Sequence, residues 1–163
     1  MSVTTRAWLA AASLCASGLL CSVQAQTPKA DRAVDKVAVE QTFRDYLAMF
    51  LTGDLKKVMA FYNEPMMLVA TGRAVSRAEA EPIMAKARDD FRAGGVAEQV
   101  LDRLEVKMLG ESVALVSFIN RQQGRDGTTV NVRAGTYSLR RTNDGWKIAV
   151  ISTYPPADFV KLD

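Results

Sequence analysis

The chain has 163 residues, of which 48% are hydrophobic and 24% charged, with a formal net charge of +3. That length and composition suit one domain with a proper core. The 21 basic residues are interspersed with 18 acidic ones, which excludes the concentrated basic surface that nucleic-acid binding needs.

The first residues read as a targeting segment. Arg6 supplies a positive start, residues 7–20 an apolar run, and Val23-Gln24-Ala25 a small-residue cleavage pattern. The run is shorter than the roughly 20 residues a membrane-spanning helix needs. A lipoprotein signal has a small residue before its cysteine, whereas Leu14 and Leu20 precede Cys15 and Cys21. The expectation is a signal peptide over residues 1–25, cut after Ala25, that yields a periplasmic or secreted protein with no membrane attachment. Residues 26–163 contain neither cysteine nor histidine. Disulfides, thiolate nucleophiles, the usual neutral-pH base and the commonest zinc ligand are therefore excluded from that part, and no metal or cofactor is expected.

Residues 26–31 read as a flexible leader to a single domain over residues 32–163. From 32 to 51, Val34, Val37, Val39, Phe43, Tyr46, Leu47 and Phe50 recur at helical spacing. Gly53 is a C-terminal stop and Asp54 an N-cap for a short helix over residues 55–62. After Glu64-Pro65, residues 66–71 read as a buried strand. Ser76 and Glu79 form a capping box, which starts a helix that Pro82 deprives of one hydrogen bond and Gly94-Gly95 ends. The period then changes. Leu104, Val106 and Met108 alternate with charged residues, and residues 113–121 are apolar on both parities, as a central strand is. Turns at 124–127 and 143–145 separate two further strands, 128–141 and 146–154. The Pro155-Pro156 tail is expected to pack across a sheet edge. Segregation of helices from strands makes this an α+β fold.

The block Tyr46-Leu47-Ala48-Met49-Phe50-Leu51-Thr52-Gly53-Asp54-Leu55, with Met59-Ala60-Phe61-Tyr62 after it, resembles the first-helix signature of the nuclear-transport-factor-2-like (NTF2-like) superfamily, and of SnoaL-like bacterial proteins within it. Thr71-Gly72-Arg73 and Gly145-Trp146-Lys147-Ile148 match as well. The similarity spans residues 32–163. It implies a cone-shaped, cystatin-like roll: three N-terminal helices on a strongly curved, mainly antiparallel sheet, enclosing an apolar pocket. It also implies frequent homodimerisation through the outer sheet face, for which Thr128, Val130, Val132 and Ala134 offer an alternating stripe. Its motifs are structural, so they point to fold rather than function.

Tyr46 stands where ketosteroid isomerases of the superfamily carry an oxyanion-stabilising tyrosine; the alternative is a core aromatic whose hydroxyl is satisfied internally. The matching base position, at Leu68-Val69-Ala70-Thr71, holds no carboxylate, and neither does Tyr137-Ser138-Leu139 where the partner acid belongs. Glu64 is the acid nearest the expected mouth. Phe50, Met67, Tyr137 and Trp146 are candidate pocket walls. Asn120, Arg133 and Thr136 are candidate polar contacts if their strands point them inward; Arg133 would otherwise lie on the solvent face. The expected function is binding of a small hydrophobic ligand, or an accessory role without catalysis. The rivals are a cofactor-independent isomerase or lyase using Tyr46 and Glu64, and a dimerising interaction module.

Overall fold

The computed structural model describes residues 29–163. The expected signal peptide, and residues 26–28 of the expected leader, lie outside the described residues. The first helix, α1, spans Lys29–Thr52, and α2 spans Leu55–Met59. Strand β1 spans Tyr62–Leu68, followed by a 3-10 turn over Val69–Thr71 and β2 over Arg73–Val75. Helix α3 spans Arg77–Ala93. Strands β3 (Glu98–Met108), β4 (Val113–Gln123), β5 (Thr129–Thr142) and β6 (Gly145–Tyr154) complete the domain. The sheet order is β2-β1-β6-β5-β4-β3, antiparallel except where β1 runs parallel to β6. The three helices pack on one face of this curved sheet.

Local chemistry explains the helix boundaries. α1 stops at Gly53, where a Cβ would collide with Met49. Asp54 accepts a hydrogen bond from the Lys56 amide at 2.9 Å to start α2. Ser76 and Glu79 satisfy each other's amides reciprocally at the head of α3. Carbonyls at the end of α1 are capped from α3: Arg88 Nη1 donates to Gly53 O at 2.9 Å, and Arg92 Nη2 donates to Leu51 O. These two bonds tie the helix break seen in the sequence to the third helix.

The inward stripe of α1 runs through Val39, Phe43, Tyr46, Leu47, Phe50 and Leu51, all buried. Val34 and Val37, expected in that stripe, are instead exposed. One turn before Val39 the inward position belongs to Asp35, whose carboxylate pairs with Arg141 on β5. Arg141 also lies 5.4 Å from the centre of the Trp146 ring. Phe43 has no exposure and sits at the centre of the core, 4.9 Å from Phe118 and 5.5 Å from Tyr137, ring centre to ring centre. Burying a side chain of that size stabilises the fold by about 2–3 kcal/mol.

The short second helix ends at Met59 rather than at residue 62, and two further expectations are corrected. The first strand starts at Tyr62 and ends at Leu68, so Glu64-Pro65 lies inside it rather than ahead of it. Residues 73–75 form a strand that pairs with its end. The C-terminal tail crosses the outer sheet face, not an edge. There the Ser117 hydroxyl donates to Val160 O, the Leu162 amide to Glu105 at 2.7 Å, and Arg103 lies over Phe159.

Candidate functional site

Between the helices and the inner sheet face lies a cavity of about 240 Å³. α1 contributes Tyr46, Leu47 and Phe50, and α3 contributes Ile83, Met84, Ala87 and Phe91. The 3-10 turn, whose Val69 is exposed, forms the rim. The sheet contributes Phe118, Asn120 and Gln122 from β4, Gln99 from β3, Arg133 and Tyr137 from β5, and Ile151 and Thr153 from β6. The wall is mostly apolar, with two polar regions.

The first region is a cluster of phenols. Tyr62 Oη donates to Tyr46 Oη at 2.9 Å and lies 3.4 Å from Met84 Sδ. Tyr137 packs nearby, its ring centre 6.2 Å from that of Tyr46. Burial pushes all three hydroxyls well above the ordinary tyrosine value of 10.0, and the neighbouring phenols add to the rise at Tyr46 and Tyr137. All three are therefore protonated at neutral pH. A phenol has one proton. With Tyr62 donating to Tyr46, the Tyr46 proton remains for Tyr137 or for a group in the cavity.

The second region is a row of carboxamides beside an arginine. Asn120 Nδ2 donates to Gln99 Oε1 at 2.8 Å, and Asn131 Nδ2 to Gln122 Oε1 at 3.2 Å. Gln99 Nε2, Asn120 Oδ1 and Gln122 Nε2 are buried without a partner in the protein. Each such group costs about 1–3 kcal/mol when left unmatched. The Arg133 guanidinium lies 5.2 Å from the centre of the Phe91 ring and donates to Thr153 Oγ1 at 3.2 Å. It is the charged side chain among the lining residues; no carboxylate lines the cavity among the described residues. No group of three or more His, Cys, Asp or Glu side chains among them is placed to hold a metal.

The family model described as "NTF2-like protein" (DUF6841) matches residues 35–156. The chain belongs to the NTF2-like family. Solved structures bear out its fold. A proposed dehydratase of the NTF2-like family from Streptomyces avermitilis is 19% identical, with a TM-score of 0.61 over 76% of this chain and 97% of its own. An NTF2-like protein of unknown function from Pseudomonas putida is 15% identical, with a TM-score of 0.62 over 76% of this chain and 88% of its own. An NTF2-like protein with a cystatin-like fold from Novosphingobium aromaticivorans is 17% identical, with a TM-score of 0.58 over 78% and 85%. At such identities the likeness carries the fold alone. No curated protein matches the sequence.

Within this NTF2-like cone, Tyr46, Phe50, Asn120, Arg133 and Tyr137 line the cavity together. Glu64, Met67 and Trp146 do not. Glu64 is half exposed and binds the head of α3, accepting from the Arg77 amide at 2.9 Å and facing Arg77 Nε at 3.6 Å. Met67 alternates with the buried Met66 and Leu68, and so points away from the face that Leu68 gives to the cavity. Trp146 is buried at the far end of β6 from Thr153, against Arg141. Thr136 also points outward, where its hydroxyl meets that of Tyr154.

Gln99, Gln122, Tyr62, Phe91 and Thr153 were not anticipated. One signal for Gln122 was available. On β4 the buried even positions run Ala114, Val116, Phe118, Asn120, Gln122, so a stripe followed two residues further would have reached it.

Proposed function

We propose that this is an exported domain that binds a small, largely apolar molecule in the cone of its NTF2-like fold. One observation carries the reading: an apolar cavity with buried, unpaired amide groups at one end. Ligand pockets combine apolar walls with a few well-placed polar groups in this way. Export rests on the Arg6, residue 7–20 and Ala25 pattern; mass spectrometry of the protein from its own source is expected to find a chain beginning at Gln26. Binding is tested with an apolar solvatochromic dye and a cavity-filling variant. Ala87 faces the cavity from α3, so Ala87→Phe should abolish dye binding while the fold melts normally. Dye binding unchanged by that substitution would refute the cavity as the site.

A second reading, an isomerase or lyase, is favoured by the Tyr46 hydroxyl alone. It lines the cavity, is held by Tyr62 and keeps its own proton to offer, which suits a developing oxyanion. The proton acceptor would have to be water or the substrate itself, since Glu64 is engaged elsewhere. Turnover of enolisable ketones that falls at least tenfold in Tyr46→Phe would support it; equal rates in wild type and variant would sink it.

A further inference from the structure

We infer that the amide-lined end of the cavity recognises a carboxylate, and that the preferred guest is a small acid with an apolar body. This rests on the binding reading above and names the chemistry of the ligand's polar end.

Sheet register places the groups. Gln99 on β3 is paired with Gln122 on β4, which is paired with Asn131 on β5; in the adjacent row Asn120 faces Arg133. Asn120 and Gln122 are each only 2% exposed. They belong to the closed part of the cone rather than to a wet surface. A carboxamide offers two N–H donors and an acceptor oxygen. After the Asn120–Gln99 and Asn131–Gln122 bonds are counted, the nitrogens of Gln99 and Gln122 still lack acceptors. Arg133 adds a planar fork of donors, pre-oriented by Phe91 and Thr153. Donors outnumber acceptors, the one lining charge is positive, and the group that answers both conditions is an acceptor-only anion. A carboxylate does so with matching planar geometry. The unmatched Asn120 oxygen would accept from a hydroxyl or a water carried in with the guest.

The remaining walls set the body. Phe50, Ile83, Ala87, Phe118 and Ile151 are apolar. An engineered cavity of about 150 Å³ in another protein holds benzene. By that ratio about 240 Å³ holds roughly ten non-hydrogen atoms, the size of an arylalkanoate.

The test compares 3-phenylpropionate with 3-phenylpropanol by calorimetry on the purified protein at pH 7. The two share one body and differ in the anion. Wild type is expected to bind the acid at least about tenfold more tightly, the scale of a charge-assisted hydrogen bond. Arg133→Gln should erase that preference and leave the alcohol within about twofold. Gln122→Met, which keeps the volume and removes the donor, should weaken the acid severalfold and spare the alcohol; it decides the matter if Arg133→Gln melts abnormally. Equal binding of acid and alcohol by wild type, or an acid preference that survives both substitutions, overturns the carboxylate site while leaving apolar binding intact. If neither compound binds and the apolar dye fails too, the binding reading itself falls.

Discussion

Gly135→Ala sets two ordinary effects against each other. In a strand interior, replacing glycine by alanine usually stabilises a protein by about 0.5–1 kcal/mol, because glycine loses more freedom on folding. At Gly135 a Cβ would lie 2.7 Å from Ser152 O and 2.8 Å from the Cε1 and Cζ atoms of Phe118, well inside normal contact. Neither neighbour can yield cheaply. Ser152 O belongs to the β6 backbone, where Gly135 is paired with Thr153. The Phe118 ring is 3% exposed and held between Phe43 at 4.9 Å and Tyr137 at 5.1 Å. Overpacking of this kind costs about 1–3 kcal/mol. The steric term wins, and the net expectation is destabilisation by about 1–2 kcal/mol. Urea unfolding should show a lower midpoint with an unchanged slope. Pairing the variant with Phe118→Leu should recover about 1 kcal/mol relative to additivity, since the clash is with that ring. A variant as stable as wild type would show that the strand and ring have more room than these distances allow.

Three further outcomes follow from the charges and phenols. Tyr137 is raised above its ordinary 10.0 by burial and by Tyr46, so its contribution to stability is complete below pH 10 and declines as pH rises above it; Tyr137→Phe should lose about 1.4 kcal/mol less per pH unit there in urea melts. Glu79 is lowered from 4.5 to about 2, first by the Ser76 amide and then by Arg73. Its contribution is present above pH 4.5 and lost as pH falls to about 2, so the melting difference between wild type and Glu79→Gln should shrink across that window, and a constant difference would contradict the capping box as its cause. Asp35→Asn, which weakens the bond to Arg141 on β5, should cost about 1–2 kcal/mol by chemical denaturation, with most of it absent in an Arg141→Gln background.

The fold was legible because its signals are local. The Gly53-Asp54 break, the Ser76–Glu79 box and the change to alternating residues after Gly95 each act within a few residues, and the structure places an element boundary at every one. Strand phase was not legible to the same degree. Period-two alternation says which residues share a face, but not which face meets the helices. Thr136 therefore stood as a candidate beside Arg133, although their odd separation puts them on opposite faces, and packing against α1 and α3 turned Arg133 inward. The same limit applies to Met67, one residue from the cavity-lining Leu68. Glu64 misled for another reason. Proximity to the mouth in sequence says nothing of a competing partner, and the head of α3 supplies one in Arg77. Gln99 and Gln122 gain meaning only when antiparallel register sets them side by side.

The two polar regions of the cavity bear on each other. The Arg133 charge acts on Tyr46 and Tyr137, easing their ionisation slightly against the much larger effect of burial. A carboxylate docked on Arg133 would cancel that field, so the phenols would become still harder to ionise and remain hydrogen-bond donors. The cavity would then hold an anion beside Arg133 and the protonated phenols, with no carboxylate among its described lining residues to take a proton away. Such a site stabilises negative charge that a guest brings with it. It moves a proton only if the guest or a water supplies the base. On this argument Tyr46→Phe should weaken a bound acid even where it changes no rate, and that separates a tyrosine used for binding from one used for catalysis.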